Sequence, residues 1–537
     1  MAWCGFVQRR YVVSLLSFFG LCLLFGLRSA LSVSLTNLVQ SHASGNDSHH
    51  HTPHSDNHSF HLDWTTSEVG WVFSAYGIGY IITQIPGGVL SAALPAHLVF
   101  SFACAFSFGL FACLPSAIKA EDYRYAVVIR FLQGFVEGVT IPAQQGIWTE
   151  WAPESEKNKL SLIALSGAYC GPAIAMLVTG VVNVKLGWYW IFYIYSIIGG
   201  VWFIIWLLLV FQSPYKSPNR IGDKERLLFE EEKRKRTANI MKTQTSKSIK
   251  GLAKVKGIPW KSILTSLPVW AVFVAGTTRS WVLLLVTNYF SEYLDNVFHM
   301  PIDVIGYLSA VPFFVTTVTV CVGAAIADFV LKRKVVSRTV ARKLFNCVGF
   351  GFEATILIVA GFMTSYFPNE ILAVVLLSVS CGSSGFAASG YQANPLDLAR
   401  DHAAILMGIS KLGGIGGMIM PNVVGVLTVN RDPAGWSNVF WLTAGIELGG
   451  VLFFAIFASG KQQPWSSYRD ARELDITRKN TTSYGATRSR SVRFSEKTGG
   501  SGYPGYDEIN DEDDEYDDGI FDDDPLRESY YDSMAPY

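Results

Sequence analysis

Charged residues are scarce in this chain. Asp, Glu, Lys and Arg make up 16% of its 537 residues, whereas soluble proteins carry about 25%. Hydrophobic residues make up 50%, and they cluster into blocks of about 20 residues, the length that a helix needs to cross a bilayer. The composition excludes an ordinary soluble domain and predicts an all-α protein with many membrane-spanning helices.

The chain also lacks the features that indicate nucleic-acid binding, disulfides, metal sites or catalysis. Its formal net charge is zero, so nothing points to a nucleic-acid partner. Seven of the eight cysteines lie inside the apolar blocks and show neither a disulfide framework nor a metal-ligand spacing. Because no nucleophile–base pair, metal set or nucleotide loop is present, we expect no enzymatic activity and no cofactor beyond coupling ions.

The apolar blocks form two sets of six. The first is interpreted as an uncleaved helix, because its apolar run resumes beyond Arg28 and is longer than a signal-peptide core. We therefore expect two six-helix bundles around a central cavity. The blocks lie near 12–38, 69–93, 97–117, 125–148, 160–184, 188–211, 268–290, 304–330, 342–364, 370–391, 404–428 and 438–459.

Lys and Arg are absent from residues 40–68 and abundant between the two sets. Residues 212–267 carry fourteen Lys/Arg against five Asp/Glu. By the positive-inside rule, 40–68 is lumenal or extracellular, and the central segment and both termini are cytosolic. The predicted organisation is a cytosolic N-terminus (1–11), a first bundle (12–211), a basic central loop (212–267), a second bundle (268–459) and a disordered acidic tail (460–537).

The lumenal segment and the cytosolic segments carry short motifs. Asn46 and Asn57 stand in N-glycosylation sequons, beside seven of the ten histidines. Those histidines indicate either a pH- or metal-sensing tract or a solvated loop. Tyr506–Ile509 ("YDEI") and Asp223–Leu228 ("DKERLL") fit sorting-adaptor signals, although a helix explains the second equally well.

The two halves show weak internal similarity. "LRSALSVSL" aligns with "TRSWVLLLV", which places Arg28 opposite Arg279. "GAAIADFVLKRK" places Asp328 where a carboxylate could meet cations across a bundle interface, while Ala92 occupies the matching position of the first half.

Few ionisable residues fall inside the blocks, where each costs about 2.5–3.5 kcal/mol at mid-membrane. The three arginines lie on the first, fourth and seventh blocks. The simplest interpretation of Lys411 and Glu447 is that they pair with each other. Glu353 is assigned to helix packing or an interface network. The full set is Arg28, Arg130, Glu137, Arg279, Glu353, Lys411 and Glu447.

Arg130 and Glu137 are seven residues apart, so they share one helix face about 10 Å apart. Each is therefore free to pair with a group on another helix. A guanidinium suits a carboxylate or phosphate, and a carboxylate in a partly dry site can carry a proton. Three arginines and one glutamate predict an anion site with a titratable gate; a purely structural salt-bridge role is the alternative.

The stretch "RFLQGFVEGVTIPAQQGIWTEWAPESEK" resembles the fourth helix of a family of anion transporters in the major facilitator superfamily. That family includes the vesicular glutamate transporters, the lysosomal sialic-acid exporter and the type I sodium–phosphate cotransporters. "GYIITQIPGG", "IGYLSAVP", "LFNCVGFGFEATILIVAG", "ILMGIS" and "FASGKQQPW" extend the resemblance over residues 11–466, and the vesicular glutamate transporters are the most similar branch.

The resemblance implies roles for individual residues. Arg28, Arg130 and Arg279 match cavity arginines of the family, Glu137 its fourth-helix glutamate, and Tyr80 a cavity tyrosine. The glutamate branch has a histidine where this chain has Phe73, and a tyrosine where it has Ile141 and again where it has Leu284. It has a neutral residue where this chain has Lys411.

The resemblance implies transport of glutamate-like organic anions, a small anionic substrate, across a vesicular or endolysosomal membrane, with the plasma membrane as an alternative. Arg28 and Arg279 would hold substrate carboxylates. Arg130 would pair with Glu137 or with the substrate in different states, and protonation of Glu137 would gate exchange. H⁺ is the expected coupling ion, with Na⁺ or Cl⁻ as alternatives. Sodium-driven phosphate transport, proton-coupled sialate transport and a non-transporting trafficking role remain open.

Overall fold

A computed structural model describes residues 8–43, 62, 64–120, 122–215, 221–243, 258–300, 302–429 and 432–466. The described residues are mostly helical and contain no β-strand. The predicted glycosylation sites, most of the histidine tract, and the acidic tail from 467 lie outside these ranges, so those predictions stay predictions.

The first half contributes eight helices that cover the first six predicted blocks. Helix α2 begins with a capping box, in which Thr65 and Glu68 satisfy each other's backbone N–H groups. The helices are α1 (Arg9–Ala43), α2 (Thr66–Ile82), α3 (Gln84–Ala93), α4 (Ala96–Lys119), α5 (Tyr123–Glu137), α6 (Thr140–Trp151), α7 (Lys157–Lys185) and α8 (Trp190–Leu209).

The central loop contains α9 (Asp223–Thr243) and the short α10 (Trp260–Leu264). The second half follows with α11 (Leu267–Phe298), α12 (Ile302–Lys332), α13 (Arg338–Tyr366), α14 (Glu370–Tyr391), α15 (Asn394–Leu398), α16 (Ala403–Lys411), α17 (Gly414–Leu427) and α18 (Pro433–Phe457). Short 3₁₀ turns lie at Arg400–His402 and Pro464–Ser466.

Ten helical segments of the described chain are long and apolar enough to cross a membrane. The second and eleventh predicted blocks are not among them. The fourth block is, although it too is divided, between α5 and α6. The second and eleventh blocks are each divided between two shorter helices. The first of these breaks lies at Thr83, between α2 and α3, and the second lies at Leu412 and Gly413, between α16 and α17. Hydropathy located these blocks but could not show that their helices are interrupted.

Core packing divides the helices into two bundles. One apolar cluster is built largely from α1–α8, which we call the first bundle, and includes Leu24, Phe111 and Trp148. Another is built from α11–α18, the second bundle, and includes Tyr293 and Trp436. Aliphatic and aromatic side chains on the remaining faces are exposed, as expected for helices that meet lipid.

The N-terminal ends of α1 and α7 and the central-loop helix α9 meet at one end of the molecule, which we call the central-loop face. Glu225 of α9 accepts hydrogen bonds from the backbone N–H groups of Arg9 and Arg10, at 2.9 and 3.0 Å. Arg10 Nε also donates to Glu156 at 2.9 Å. Asp223–Leu228, the predicted adaptor motif, is helical here, and its adaptor role stays a prediction.

Candidate functional site

Arg28 and Glu137 form an ion pair inside the first bundle. Arg28 Nε donates to Glu137 Oε2 at 2.7 Å, and Arg28 Nη2 lies 2.7 Å from the same oxygen. The Glu137 side chain is fully buried, whereas 19% of the Arg28 side chain is exposed. The pair therefore joins a buried carboxylate to a cation that another anion could reach.

Two further donors hold Glu137. Tyr76 Oη donates to Glu137 Oε2 at 2.8 Å, and Ser107 Oγ donates to Oε1. Tyr76 also stacks on Tyr80, with ring centroids 5.9 Å apart, and the Arg28 guanidinium lies 4.9 Å from each ring centroid. The predicted tyrosine Tyr80 is thus beside Arg28, and Tyr76 is a contact that sequence reasoning missed.

Arg130 does not contact Glu137 directly, as the seven-residue spacing predicted. Arg130 Nη1 donates to Gln133 Oε1 at 2.7 Å, and Gln133 Nε2 donates to Ser107 Oγ at 3.3 Å. Because Ser107 donates to Glu137, these side chains link the two predicted residues. The cation paired with the Glu137 carboxylate is Arg28, so the pairing of Arg130 with Glu137 that was expected for one state is not formed here.

Glycines set the spacing of this site. A Cβ on Gly134 would collide with the carbonyl oxygen of Tyr76, and a Cβ on Gly79 would collide with that of Phe131. Helices α2 and α5 therefore pack backbone against backbone, as small residues allow in membranes. The glycines of "RFLQGFVEG" bring Tyr76 close enough to reach Glu137.

Arg279 occupies the corresponding position in the second bundle. Its Nη1 donates to Glu353 Oε1 at 3.4 Å, and the Glu353 side chain is fully buried. Its guanidinium also lies 5.3 Å from the ring centroid of Tyr169, which belongs to α7 of the first bundle. Arg279 is therefore at the interface of the bundles, and Glu353 is its carboxylate partner, which agrees with the interface network rather than the helix-packing alternative.

Lys411 and Glu447 do not form the expected ion pair, so that prediction is wrong. Lys411 ends α16 at the helix break and lies within electrostatic range of Arg279 and Arg28. Glu447 interacts instead with Glu353 and Arg279. The expected pair rested on the two blocks being neighbours in the sequence. That order does not show the helix break, which places Lys411 near the arginines of both bundles.

Close packing places α16 at the seam between the bundles. A Cβ on Gly408 would collide with the carbonyl oxygen of Gln84, and one on Gly88 would lie 2.8 Å from that of Ala404. On its other side, Ser410 Oγ donates to the carbonyl oxygen of Val272 in α11 at 3.2 Å. The last turn of α16 thus presents Lys411 between α3 and α11.

The three positions that depart from the glutamate branch are apolar packing positions. Ile141 is buried in the core of the first bundle, and Phe73 is partly buried against that core. Leu284 is partly buried against the core of the second bundle. None of them supplies a polar group to the cluster around Arg28 and Arg279.

An ion network joins the bundles at the central-loop face. Asp397 of α15 accepts from Lys157 of α7, and Arg342 Nε of α13 donates to it at 2.6 Å. Glu154 pairs with Arg338 and Arg400 at 2.9 and 3.4 Å. These contacts hold the two bundles together at the central-loop face.

Asp328 reaches across the same interface, as its loop motif predicted, but its partners are neutral. It accepts from Asn158 Nδ2 at 2.6 Å and from the backbone N–H of Lys159 at 2.7 Å, both in the first turn of α7. A carboxylate at a helix N-terminus is stabilised by the free N–H groups and the helix dipole. Asp328 is therefore stabilised by the N-terminus of α7, whereas its motif predicted pairing with cations.

Comparisons with known proteins identify the family. The profile of the Major Facilitator Superfamily matches residues 16–414. The human vesicular glutamate transporter 2 is 38% identical over 502 residues, covering 90% of this chain and 82% of the relative. The bovine vesicular glutamate transporter 1 is 37% identical over 471 residues, covering 88% and 80%.

The chain belongs to the major facilitator superfamily, in the branch of the vesicular glutamate transporters. Solved structures agree on the fold. The proton:xylose symporter XylE matches with a TM-score of 0.60 at 14% identity, covering 85% of this chain and 98% of the symporter. The Escherichia coli fucose:proton symporter FucP matches with a TM-score of 0.51 at 16% identity, covering 83% and 99%.

Family membership confirms several predictions. The protein is a multi-pass membrane protein of the major facilitator fold, and its family consists of transporters rather than enzymes. The fold is suited to alternating access, in which two bundles rock about a central site.

Proposed function

We propose that this protein is a secondary active transporter of glutamate-like organic anions across a vesicular or endolysosomal membrane. The observation that carries the proposal is the paired arrangement of Arg28 with Glu137 and Arg279 with Glu353, one pair in each bundle. The named relatives, vesicular glutamate transporters, support the substrate class.

The ion pairs explain how an anion would enter. In the present state each arginine is held by a protein carboxylate, and a substrate carboxylate would replace it as the partner. A planar guanidinium binds a carboxylate through two parallel N–H donors, so the exchange preserves the geometry of the pair. Protonation of Glu137 would weaken its hold on Arg28 and favour substrate binding.

The charge balance favours an anion over a cation or neutral substrate. Arg130 is bonded to the neutral Gln133, and Lys411 has no hydrogen bond or ion pair among the described residues. Lys411 therefore adds a third cation beside Arg28 and Arg279. The vesicular glutamate transporters have a neutral residue at this position. We infer that substrates with a second anionic group are bound more tightly here than in that branch.

Membrane potential would supply much of the driving force. One net negative charge moved towards the positive side gains about 2.3 kcal/mol per 100 mV, which corresponds to about 50-fold accumulation. A proton-pumping membrane, whose lumen is positive and acidic, would therefore drive uptake of an anion into the lumen.

The test is uptake of labelled anions by the purified protein in proteoliposomes under an imposed potential. The panel is L-glutamate, L-aspartate, sialate, a dicarboxylate and phosphate, each with and without Na⁺ and a pH gradient. We expect saturable, potential-driven, Na⁺-independent uptake of a carboxylate. Na⁺-dependent phosphate uptake would establish the sodium-coupled alternative, and failure of every anion with folded protein would favour a trafficking role.

A further inference from the structure

The second bundle contains two fully buried carboxylates close to one arginine. Glu353 lies on α13 and Glu447 on α18, and neither side chain has exposed surface. Of these two glutamates, only Glu353 forms an ion pair with Arg279 among the described residues. The role of Glu447 is therefore unaccounted for.

The position of Glu447 follows from its neighbours on α18. Thr443, one turn before it, accepts a hydrogen bond from Trp281 Nε1 of α11 at 3.2 Å. Gly450, one turn after it, packs so closely on α11 that a Cβ would collide with Thr278 Oγ1. Glu447 thus faces the stretch of α11 that holds Arg279, and it interacts electrostatically with Arg279 and Glu353.

The cluster has too few donors for two ionised carboxylates. Both Glu447 oxygens and Glu353 Oε2 are buried, and no donor group in the described part of the chain reaches them. The two carboxyl groups are within hydrogen-bonding reach of each other. The other titratable groups near Arg279 are Cys381 and Tyr391 of α14, Tyr169 of α7, and Lys411 of α16. Only the cysteine interacts with Glu447 as well, and a neutral thiol adds no positive charge.

Charge counting decides the protonation state. Two carboxylates beside one guanidinium would leave an uncompensated buried negative charge, which costs several kcal/mol. Two carboxylates that face each other without a donor between them share a proton in the lowest-energy arrangement. An O–H between Glu353 and Glu447 supplies the missing donor and makes the cluster neutral with Arg279.

We propose that Glu353 and Glu447 form a proton-binding site in the second bundle, separate from Glu137, and that its proton occupancy controls Arg279. With one shared proton, the remaining negative charge holds Arg279. A second proton neutralises both carboxyl groups and frees the guanidinium for a substrate carboxylate. This inference rests on the proposed transport function, because it couples proton binding to anion binding in that site.

A small cavity in the second bundle borders Glu353 of this pair. It is about 20 Å³ in volume, enough for one water molecule, and its lining includes Glu353, Ser380, Cys381 and Tyr289. A water molecule in this cavity would lie beside Glu353.

The first test needs no substrate. Infrared spectra of the purified full-length protein should show the carbonyl band of a buried protonated carboxyl near neutral pH. Glu447→Gln should abolish that component, and Glu353→Gln should abolish or shift it. Glu370→Gln, a change at an exposed glutamate, should leave it intact, and Glu137→Gln separates any contribution of the first bundle.

The infrared result does not depend on whether the protein transports an anion. A band that survives unchanged in both Glu447→Gln and Glu353→Gln would overturn the proposal, whether or not any anion is transported. Loss of the band on addition of Na⁺, with proton release, would show a sodium site instead and would also overturn it. If L-glutamate is transported, proton flux coupled to its uptake should be lost in Glu447→Gln and kept in Glu370→Gln.

Discussion

At the residue scale, the site holds more cationic than anionic charge at the seam. Arg28 and Arg279 each have a glutamate partner, while Arg130 has a neutral partner and Lys411 has no bonded partner among the described residues. An anion that enters the site would therefore meet at least one cation that is not already paired with a carboxylate. This excess distinguishes an anion site from a set of structural salt bridges.

Replacing Lys411 should weaken anion binding without disrupting the fold. Lys411→Gln removes a cation within range of both arginines, which is worth about 1–2 kcal/mol, so we expect KM for the transported anion to rise about five- to thirty-fold. Lys411→Arg should retain most of the affinity. An unchanged KM in Lys411→Gln would place the lysine outside the substrate site.

The sequence predicted which residues carry the charges but not all of their partners. Arg28, Arg130, Arg279 and Glu137 were found because a charge in an apolar block has few explanations. Their partners depend on how helices rotate against each other, which hydropathy does not contain. Glu353 is 74 residues from Arg279, and no local pattern connects them.

At the element scale, the site depends on helices that approach at glycines. Helices α2 and α5 meet at Gly79 and Gly134, and α3 and α16 meet at Gly88 and Gly408. The first contact positions Tyr76 on Glu137, and the second positions Lys411 between the bundles. The sequence showed abundant glycine in its apolar blocks, but only the structure shows which ones are contact points.

Gly134→Ala should destabilise the first bundle and impair transport. The added methyl group would collide with backbone at Tyr76, which cannot move aside as a flexible side chain would, and overpacking of this kind costs about 1–3 kcal/mol. We expect a lower Tm of the detergent-solubilised protein and a loss of anion uptake.

Gly109→Ala is the matched control, because a Cβ on Gly109 meets no atom within 4 Å. Its Tm and uptake should equal those of the wild type. Equal Tm values for Gly134→Ala and Gly109→Ala would show that α2 and α5 do not need this close contact.

At the scale of the whole molecule, the ion network closes the central-loop face. Asp397→Asn should loosen it, because Lys157 and Arg342 would lose a buried carboxylate, a change that costs about 3–5 kcal/mol. Spin labels at the exposed Ser155 and Val335 should then report a longer or broader distance across the interface. Asp295→Asn, at an exposed aspartate, should leave the distance unchanged.

The same network should resist mild acid. Burial opposes ionisation of Glu154, but Lys157, Arg338 and Arg400 outweigh it and hold the pKa of Glu154 well below its ordinary value. A depressed carboxyl pKa gives stability that is complete above the unfolded pKa and is lost only as pH falls towards the folded one. The contribution of Glu154 to this distance should therefore be the same at about pH 8 and about pH 5, so Glu154→Gln should change the distance equally at both values. A smaller effect of Glu154→Gln at the lower pH would contradict this assignment.

The overall fold was largely predictable, because bilayer-length apolar blocks and the family motifs both point to it. What the sequence could not give was the state of the molecule, which is closed at the central-loop face by contacts between distant segments. Such contacts depend on the relative position of the bundles, and that position changes during alternating access. The predicted domain boundaries remain predictions.

The central claim is that Arg28 and Arg279 exchange their glutamate partners for substrate carboxylates. The most direct measurement is potential-driven uptake of the labelled anion by Arg28→Ala and Arg279→Ala in proteoliposomes, beside Arg333→Ala at an exposed arginine. We predict loss of uptake in the first two variants, each still folded by size-exclusion chromatography, and normal uptake in the third. Normal uptake by folded Arg279→Ala would contradict the account.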